Sequence, residues 1–202
     1  RWKHTTSSQR QYPTIIEELC RHFSLTDLRK ITNNIDQNRI ILDPFSPEIY
    51  KGCLLQNDAS DYKVTVRRFT VKDTQKLKEF KNEIELLCQL RQPNCISLIG
   101  FCNGKNENIV VYKYMPNGSL YQWLHENPKA LSWKKRLQIC IGAAHGLHYL
   151  HSGAKRTIIH RHICLANILL DDNMEAKLAE FRFSIQGTHF MSKPKPIMAE
   201  LD

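Results

Sequence analysis

Long hydrophobic runs are missing from this sequence. The longest apolar stretch, Cys95 to Cys102, is far too short to cross a bilayer. There is no secretory signal. The chain opens on Arg1 rather than methionine, which leaves room for upstream sequence, including a membrane segment. No two cysteines stand at C-x-x-C spacing, and their number, 7, is odd. Most of them lie in apolar stretches, where a free thiol packs as a small hydrophobe. That argues against a disulfide framework or a zinc site and for a reducing compartment. Acidic residues are few, 20 Asp+Glu against 29 Lys+Arg, for a net charge of +9. Such a balance favours acidic partners such as nucleic acid, an anionic membrane surface or phosphorylated proteins. The charge is spread along the chain, however, as on an ordinary solvated surface. There is no internal repeat. What the chain does have, 42% hydrophobic and 24% charged residues over 202 positions, fits one large domain or two small lobes with a real core.

Periodicity and capping signals divide the chain. Residues 1–22 are polar and basic and read as a leader. Ser24 and Asp27 form a capping-box pattern ahead of Leu25, Leu28 and Ile31, predicting a short helix over 25–34. Residues 40–70 read as strands. Tyr62, Val64, Val66 and Arg68 alternate with Lys63, Thr65, Arg67 and Phe69, and Pro44 and Pro47 force a rigid turn before them. Residues 74–91 form an amphipathic helix with Leu77, Phe80, Ile84 and Leu87 on one face, ended by Pro93. A strand over 108–114 leads into the turn Met115-Pro116-Asn117-Gly118 and a short helix to His125. The helix over 133–151 is apolar around much of its girth, with Leu137, Ile139, Ile141, Ala143, Ala144, Leu147 and Leu150, so it is expected to bury more than one side. Ser152-Gly153 stops it. Short strands follow at Ile168–Leu170 and Ala176–Leu178, and residues 186–202 read as a loose tail.

Four segments, in order and at the right spacing, carry a family resemblance. They are Phe23-Ser24-Leu25 to Tyr50-Lys51-Gly52; Glu83-Ile84-Glu85-Leu86-Leu87 to Gly100-Phe101-Cys102; Val111-Tyr112-Lys113-Tyr114-Met115-Pro116-Asn117-Gly118; and Ile158-Ile159-His160-Arg161-His162 through Asn167 to Glu180-Phe181-Arg182. The set resembles plant receptor-like kinases of the Pelle-related, Feronia-like group over residues 23–185. The resemblance implies an α+β, two-lobe protein-kinase fold. It would have a complete N-lobe (a five-stranded antiparallel sheet plus helix C) over 23–115 with its hinge, and only the first part of the helical C-lobe over 116–185, flanked by a juxtamembrane-like segment and a tail. In the family, the helix at 133–151 packs partly on later helices, so its apolar surface is expected to be open.

Phosphoryl transfer depends on positioning and on neutralising charge with Mg²⁺ and cations. Compared position by position, the resemblance implies a degenerate site. The three glycines of the phosphate loop fall at Leu42, Pro44 and Pro47, where proline offers no N–H to a phosphate. The strand lysine is Arg67, whose forked guanidinium is not interchangeable with an ammonium, and its expected partner is Glu83. Thr65 roofs the adenine position, Tyr112 is the gatekeeper, Tyr114 and Met115 belong to the hinge, and Leu42 and Leu169 complete the ATP-site positions. The catalytic aspartate is replaced by His162 and the lysine two residues on by Cys164, while Asn167, a metal ligand in the family, is retained. Glu180 stands for the metal aspartate, and Arg182, in place of glycine, is expected to neutralise it or compete with the metal. The implied function is a pseudokinase-like module that acts by protein binding or allosteric regulation, with an active receptor-like kinase as partner. ATP and Mg²⁺ are its family cofactors, weakly held. The expected location is cytoplasmic, at the inner face of the plasma membrane if an anchor lies upstream. The alternatives are an atypical ATP-dependent Ser/Thr kinase using His162 and Glu180, a nucleic-acid binder suggested by charge alone, and a decayed remnant without a stable fold.

Overall fold

The computed structural model describes residues 20–34, 49–55, 61–70, 74–104, 107–126 and 131–187. Its upper part is a sheet in the order β1(Arg21–His22), β4(Leu98–Asn103), β5(Glu107–Lys113), β3(Asp61–Thr70), β2(Ile49–Leu55). Strand alternation sets the two faces. Val64 and Val66 pack with Phe23, Leu28, Ile31 and Val111 beneath helix α1(Leu25–Ile31), whereas Phe69 joins the core under helix α2(Thr74–Gln89). The intervening Thr65 and Arg67 therefore share the α2 side of the sheet. The Ser24–Asp27 capping box is present, and α1 stops at Ile31.

The sheet was expected to be antiparallel, and it is so for β2 with β3, β3 with β5 and β4 with β5. β1 pairs in parallel with β4, Arg21 opposite Gly100, which makes the sheet mixed. The cause is local. Gly100 leaves room for the Arg21 carbonyl, into which a Cβ would run. The same placement sets Cys20 beside the last turn of α2, where a Cys20–Cys88 disulfide spans a Cα–Cα distance of 6.3 Å. That separation suits a bridge and corrects the expectation of unbridged thiols. Strand β1 is too short to show a period, so its pairing could not be read from the sequence.

Below the sheet lie α3(Leu120–His125), α4(Trp133–His148) and the hairpin of β7(Ile168–Leu170) with β8(Ala176–Leu178). Strands β6(Ile158–Ile159) and β9(Ile185–Gln186) form a second small pair. Helix α4 passes into a π turn at Tyr149–Gly153 instead of continuing as α-helix to 151. Its Gly142 and Gly146 lie against Asn94, Ala176 and Leu178, and of its residues only Ile139 and Gly146 are fully buried. Trp133 (80% exposed), Leu137 and Ile141 face outward. The helix thus buries one side among the described residues, not several, and the expected open apolar surface is present. The upper and lower parts are joined by main chain: Leu178 N–H donates to Asn94 O at 2.7 Å and Ile96 N–H to Leu178 O at 2.9 Å. No helix of the described residues is long and apolar enough to cross a membrane.

Candidate functional site

A cleft of about 430 Å³ separates the sheet from the helical part. Ile49, Lys51 and Thr65 line its roof, Tyr114, Met115 and Gly118 its back, and Ala166, Asn167, Leu169, Ala179 and Glu180 its floor. Six of the positions named from sequence therefore meet here: Thr65, Tyr114, Met115, Asn167, Leu169 and Glu180. Leu42, Pro44 and Pro47 lie outside the described residues. Arg67, Glu83 and Tyr112 do not line the cleft; they form a buried layer behind it. Tyr121, Gln122 and Trp123 of α3, with Glu126 just past its end, close the outer wall, a contribution the sequence did not signal. Trp123 is fixed there by a 2.7 Å hydrogen bond from Nε1 to Asn117 O.

The polar layer is wired differently from the expectation. Arg67, 4% exposed, pairs with Glu180 and not with Glu83. Glu83, 1% exposed, accepts instead from the Tyr112 hydroxyl at 3.1 Å, and its Oε2 is buried without a hydrogen-bond partner. The reason is reach. A glutamate at 180 is one methylene longer than the family aspartate and brings its carboxylate to the guanidinium. Burial, aided by the Glu180 charge, pushes the Glu83 carboxyl up to about 7 despite nearby Arg67. Burial alone would weaken the Arg67 charge, but Glu180, Tyr112 and Glu83 together outweigh it and hold the guanidinium protonated. Burial likewise opposes the Glu180 charge, and Arg67 and Arg182 overcome it, so its pKa falls below the usual carboxylate range. Tyr112, desolvated and beside Glu83, has its pKa raised well above the usual tyrosine range and stays a donor.

Arg182 completes the cluster. Its Nε lies 2.9 Å from Glu180 Oε2, an ionic approach at an angle that makes no hydrogen bond. Its Nη1 lies 3.3 Å from Glu79 Oε2, and its guanidinium stacks 4.5 Å from the Phe183 ring centroid. Helix α2 grips this segment through a residue that sequence reasoning missed. Asn82 Nδ2 faces the carbonyls of Phe181, Arg182 and Ser184 at 3.4, 2.9 and 2.8 Å. Glu79, Asn82 and Glu83 are spaced as one helix face, and polar residues recurring on that face were the available signal.

On the floor, His160 is structural. Its Nε2–H donates to Ala179 O at 2.9 Å and its Nδ1 accepts from His162 N–H at 3.3 Å. Burial pushes its pKa down to about 4, which keeps the ring neutral. The His162 ring stands edge-on to Phe183 at 5.1 Å and is not among the residues lining the cleft. Its Nδ1 is buried without a hydrogen bond. Asn167 Nδ2 donates to His162 O at 3.0 Å, and Asn167 O accepts from Ala179 N–H at 2.9 Å. Glu180 itself sits in the left-handed region at φ 70°.

These residues fit a planar heterocycle better than a divalent ion. Ile49, Leu169 and Ala179 supply apolar faces, and Met115 N–H makes no hydrogen bond among the described residues. For Mg²⁺ the donor set does not fit. One Glu180 oxygen faces Arg67 and the other faces Arg182; the Asn167 amide nitrogen donates to His162 O, so of that side chain only Oδ1 is left to serve an ion. A small ion that demands regular octahedral oxygen ligands meets guanidiniums at its expected carboxylate.

Comparison with known proteins agrees with this geometry. The family model described as protein tyrosine and serine/threonine kinase matches residues 43–195. Among curated proteins of Arabidopsis thaliana, the chain is similar to a probable receptor-like protein kinase, 43% identical over 92% of this chain and 22% of that protein. It is similar to the receptor-like protein kinase FERONIA, 42% identical over 91% of this chain and 21% of the relative. It is also similar to the receptor-like protein kinase THESEUS 1, 42% identical over 91% and 22%. The chain thus spans about a fifth of the length of the curated relatives it matches.

Proposed function

The chain belongs to the protein tyrosine and serine/threonine kinase family, with plant receptor-like kinases among its relatives, and from that premise we propose that it is a pseudokinase-like module that acts by binding a signalling protein rather than by transferring phosphate. One observation carries this reading: the carboxylate at the metal position, Glu180, is taken by Arg67 and Arg182. Phosphoryl transfer needs a metal to bridge the phosphates and a group to accept the hydroxyl proton. The first lacks its free carboxylate. The second, His162, stands against Phe183 outside the cleft lining. Deficits within one site do not add simply, but each alone costs orders of magnitude in rate.

The arrangement of α2 supports a binding role. Asn82 and the Arg182–Glu79 contact hold the helix against residues 181–184 through protein groups alone. A kinase-like surface is thereby preset, as a scaffold or allosteric partner requires. The natural partner in this reading is the kinase region of an active receptor-like kinase, met on the cytoplasmic side of the membrane, with ATP and Mg²⁺ at most weakly engaged.

The test pairs two measurements. Purified chain with Mg-ATP and labelled γ-phosphate is expected to incorporate nothing above background, and to associate with an active receptor-like kinase domain in solution. Incorporation that disappears on Asn167→Ala, or no association with any receptor-like kinase domain tried, would sink the proposal.

A further inference from the structure

Glu180 is a half-buried carboxylate with a cation on each oxygen, and one of these cations comes from a residue the family pattern does not contain. Arg182 is fixed by three contacts: Glu180 at 2.9 Å, Glu79 at 3.3 Å and the face of Phe183 at 4.5 Å. The side chains of Arg182, Glu180 and Glu79 are each less than a fifth exposed. We propose that Arg182 is a resident cation: its guanidinium takes the place of a divalent ion at Glu180, so that the cleft accepts a purine nucleoside, or its phosphates, without metal. The proposal rests on the kinase-type reading of the cleft.

Charge counting supports it. Arg67 and Arg182 face Glu79, Glu83 and Glu180, so even with all three carboxyls ionised the surplus is a single negative charge. A divalent ion would therefore leave net positive charge in a region shielded from water, where unpaired charge is expensive. It would also have to displace a guanidinium that is itself held from two other sides.

The apolar part of the cleft is independent of this cluster. Ile49 of the sheet and Leu169 of the lower hairpin both line the slot, and Met115, which lines it too, has a backbone N–H that makes no hydrogen bond among the described residues. A base can bind there whatever stands at Glu180. Among the described residues, both guanidiniums at that carboxylate are committed to it, so phosphates are expected to add little.

Isothermal titration of the full chain with adenosine, with ATP and with ATP plus Mg²⁺ tests the inference directly. Adenosine and ATP are expected to bind within about threefold of each other, and Mg²⁺ to change neither by more than about threefold. Arg182→Gly, with Arg182→Gln as a second variant, should introduce metal dependence, ATP binding at least about tenfold tighter with Mg²⁺ than without. Metal-enhanced binding of ATP by the unaltered chain would overturn the inference, as would failure to bind adenosine at millimolar concentration. So would folded Arg182 variants, checked by circular dichroism, that remain indifferent to Mg²⁺. If neither variant folds, the comparison on the unaltered chain decides. Phosphoryl transfer would defeat the pseudokinase reading, whereas metal-dependent binding without transfer would defeat this inference alone.

Discussion

At the scale of single residues, the buried polar layer behaves unlike the surface charges around it. Glu83 has a folded-state pKa raised from 4.5 to about 7 by burial. The fold therefore holds this proton more tightly than the unfolded chain does. The resulting stabilisation is full below pH 4.5 and is lost as pH rises towards 7. His160 works in the other direction. Burial lowers its pKa from 6.5 to about 4, so the stability it lends is full above pH 6.5 and is lost as pH falls through about 4. Glu83→Gln keeps an acceptor for the Tyr112 hydroxyl and removes the charge. Its melting temperature should exceed that of the unaltered chain at pH 8 and match it near pH 5; a gain of the same size at both values would contradict the assignment. Asn82→Ala removes the amide that faces three carbonyls and should cost about 2 kcal/mol in urea unfolding, while an unchanged midpoint would count against the clamp. The resemblance paired Arg67 with Glu83 and placed Tyr112 at the gatekeeper position. It did not reveal the exchange of partners, because motif alignment carries no information on how far a longer carboxylate reaches.

At the scale of elements, legibility followed the length of the pattern. The capping box at Ser24 and the apolar face of α2 were plain in the sequence and are present in the fold. Strand β1 was hidden because two residues show no alternation, and with it the Cys20–Cys88 bridge, which depends on that pairing. Gly100 is the residue on which the pairing turns. Gly100→Ala sets a methyl against the Arg21 carbonyl and the Phe23 ring and is expected to destabilise by about 1–3 kcal/mol, with early hydrogen exchange at Phe23 N–H, which donates to Phe101 O. Slow exchange there in the variant would show that the parallel pairing survives the methyl. Helix α4 was expected to be buried on several sides because its apolar residues are spread around its girth. The described residues cover only one side, and Leu137→Lys on the open face should leave the melting temperature of the isolated chain within about 0.5 kcal/mol equivalent.

At the scale of the molecule, the fold class followed from four ordered segments, and the cleft from the hinge and floor positions they contain. The outer wall from α3 and the grip of α2 on residues 181–184 were not legible, since both arise from tertiary approach between distant segments. A kinase-like body whose metal carboxylate is already neutralised from within should keep its shape and lack the transfer chemistry. Intact mass spectrometry of the purified chain after prolonged incubation with Mg-ATP tests this most directly. The account predicts a mass unchanged by any phosphate; a phosphorylated species that forms with the unaltered chain and vanishes on His162→Ala would contradict it.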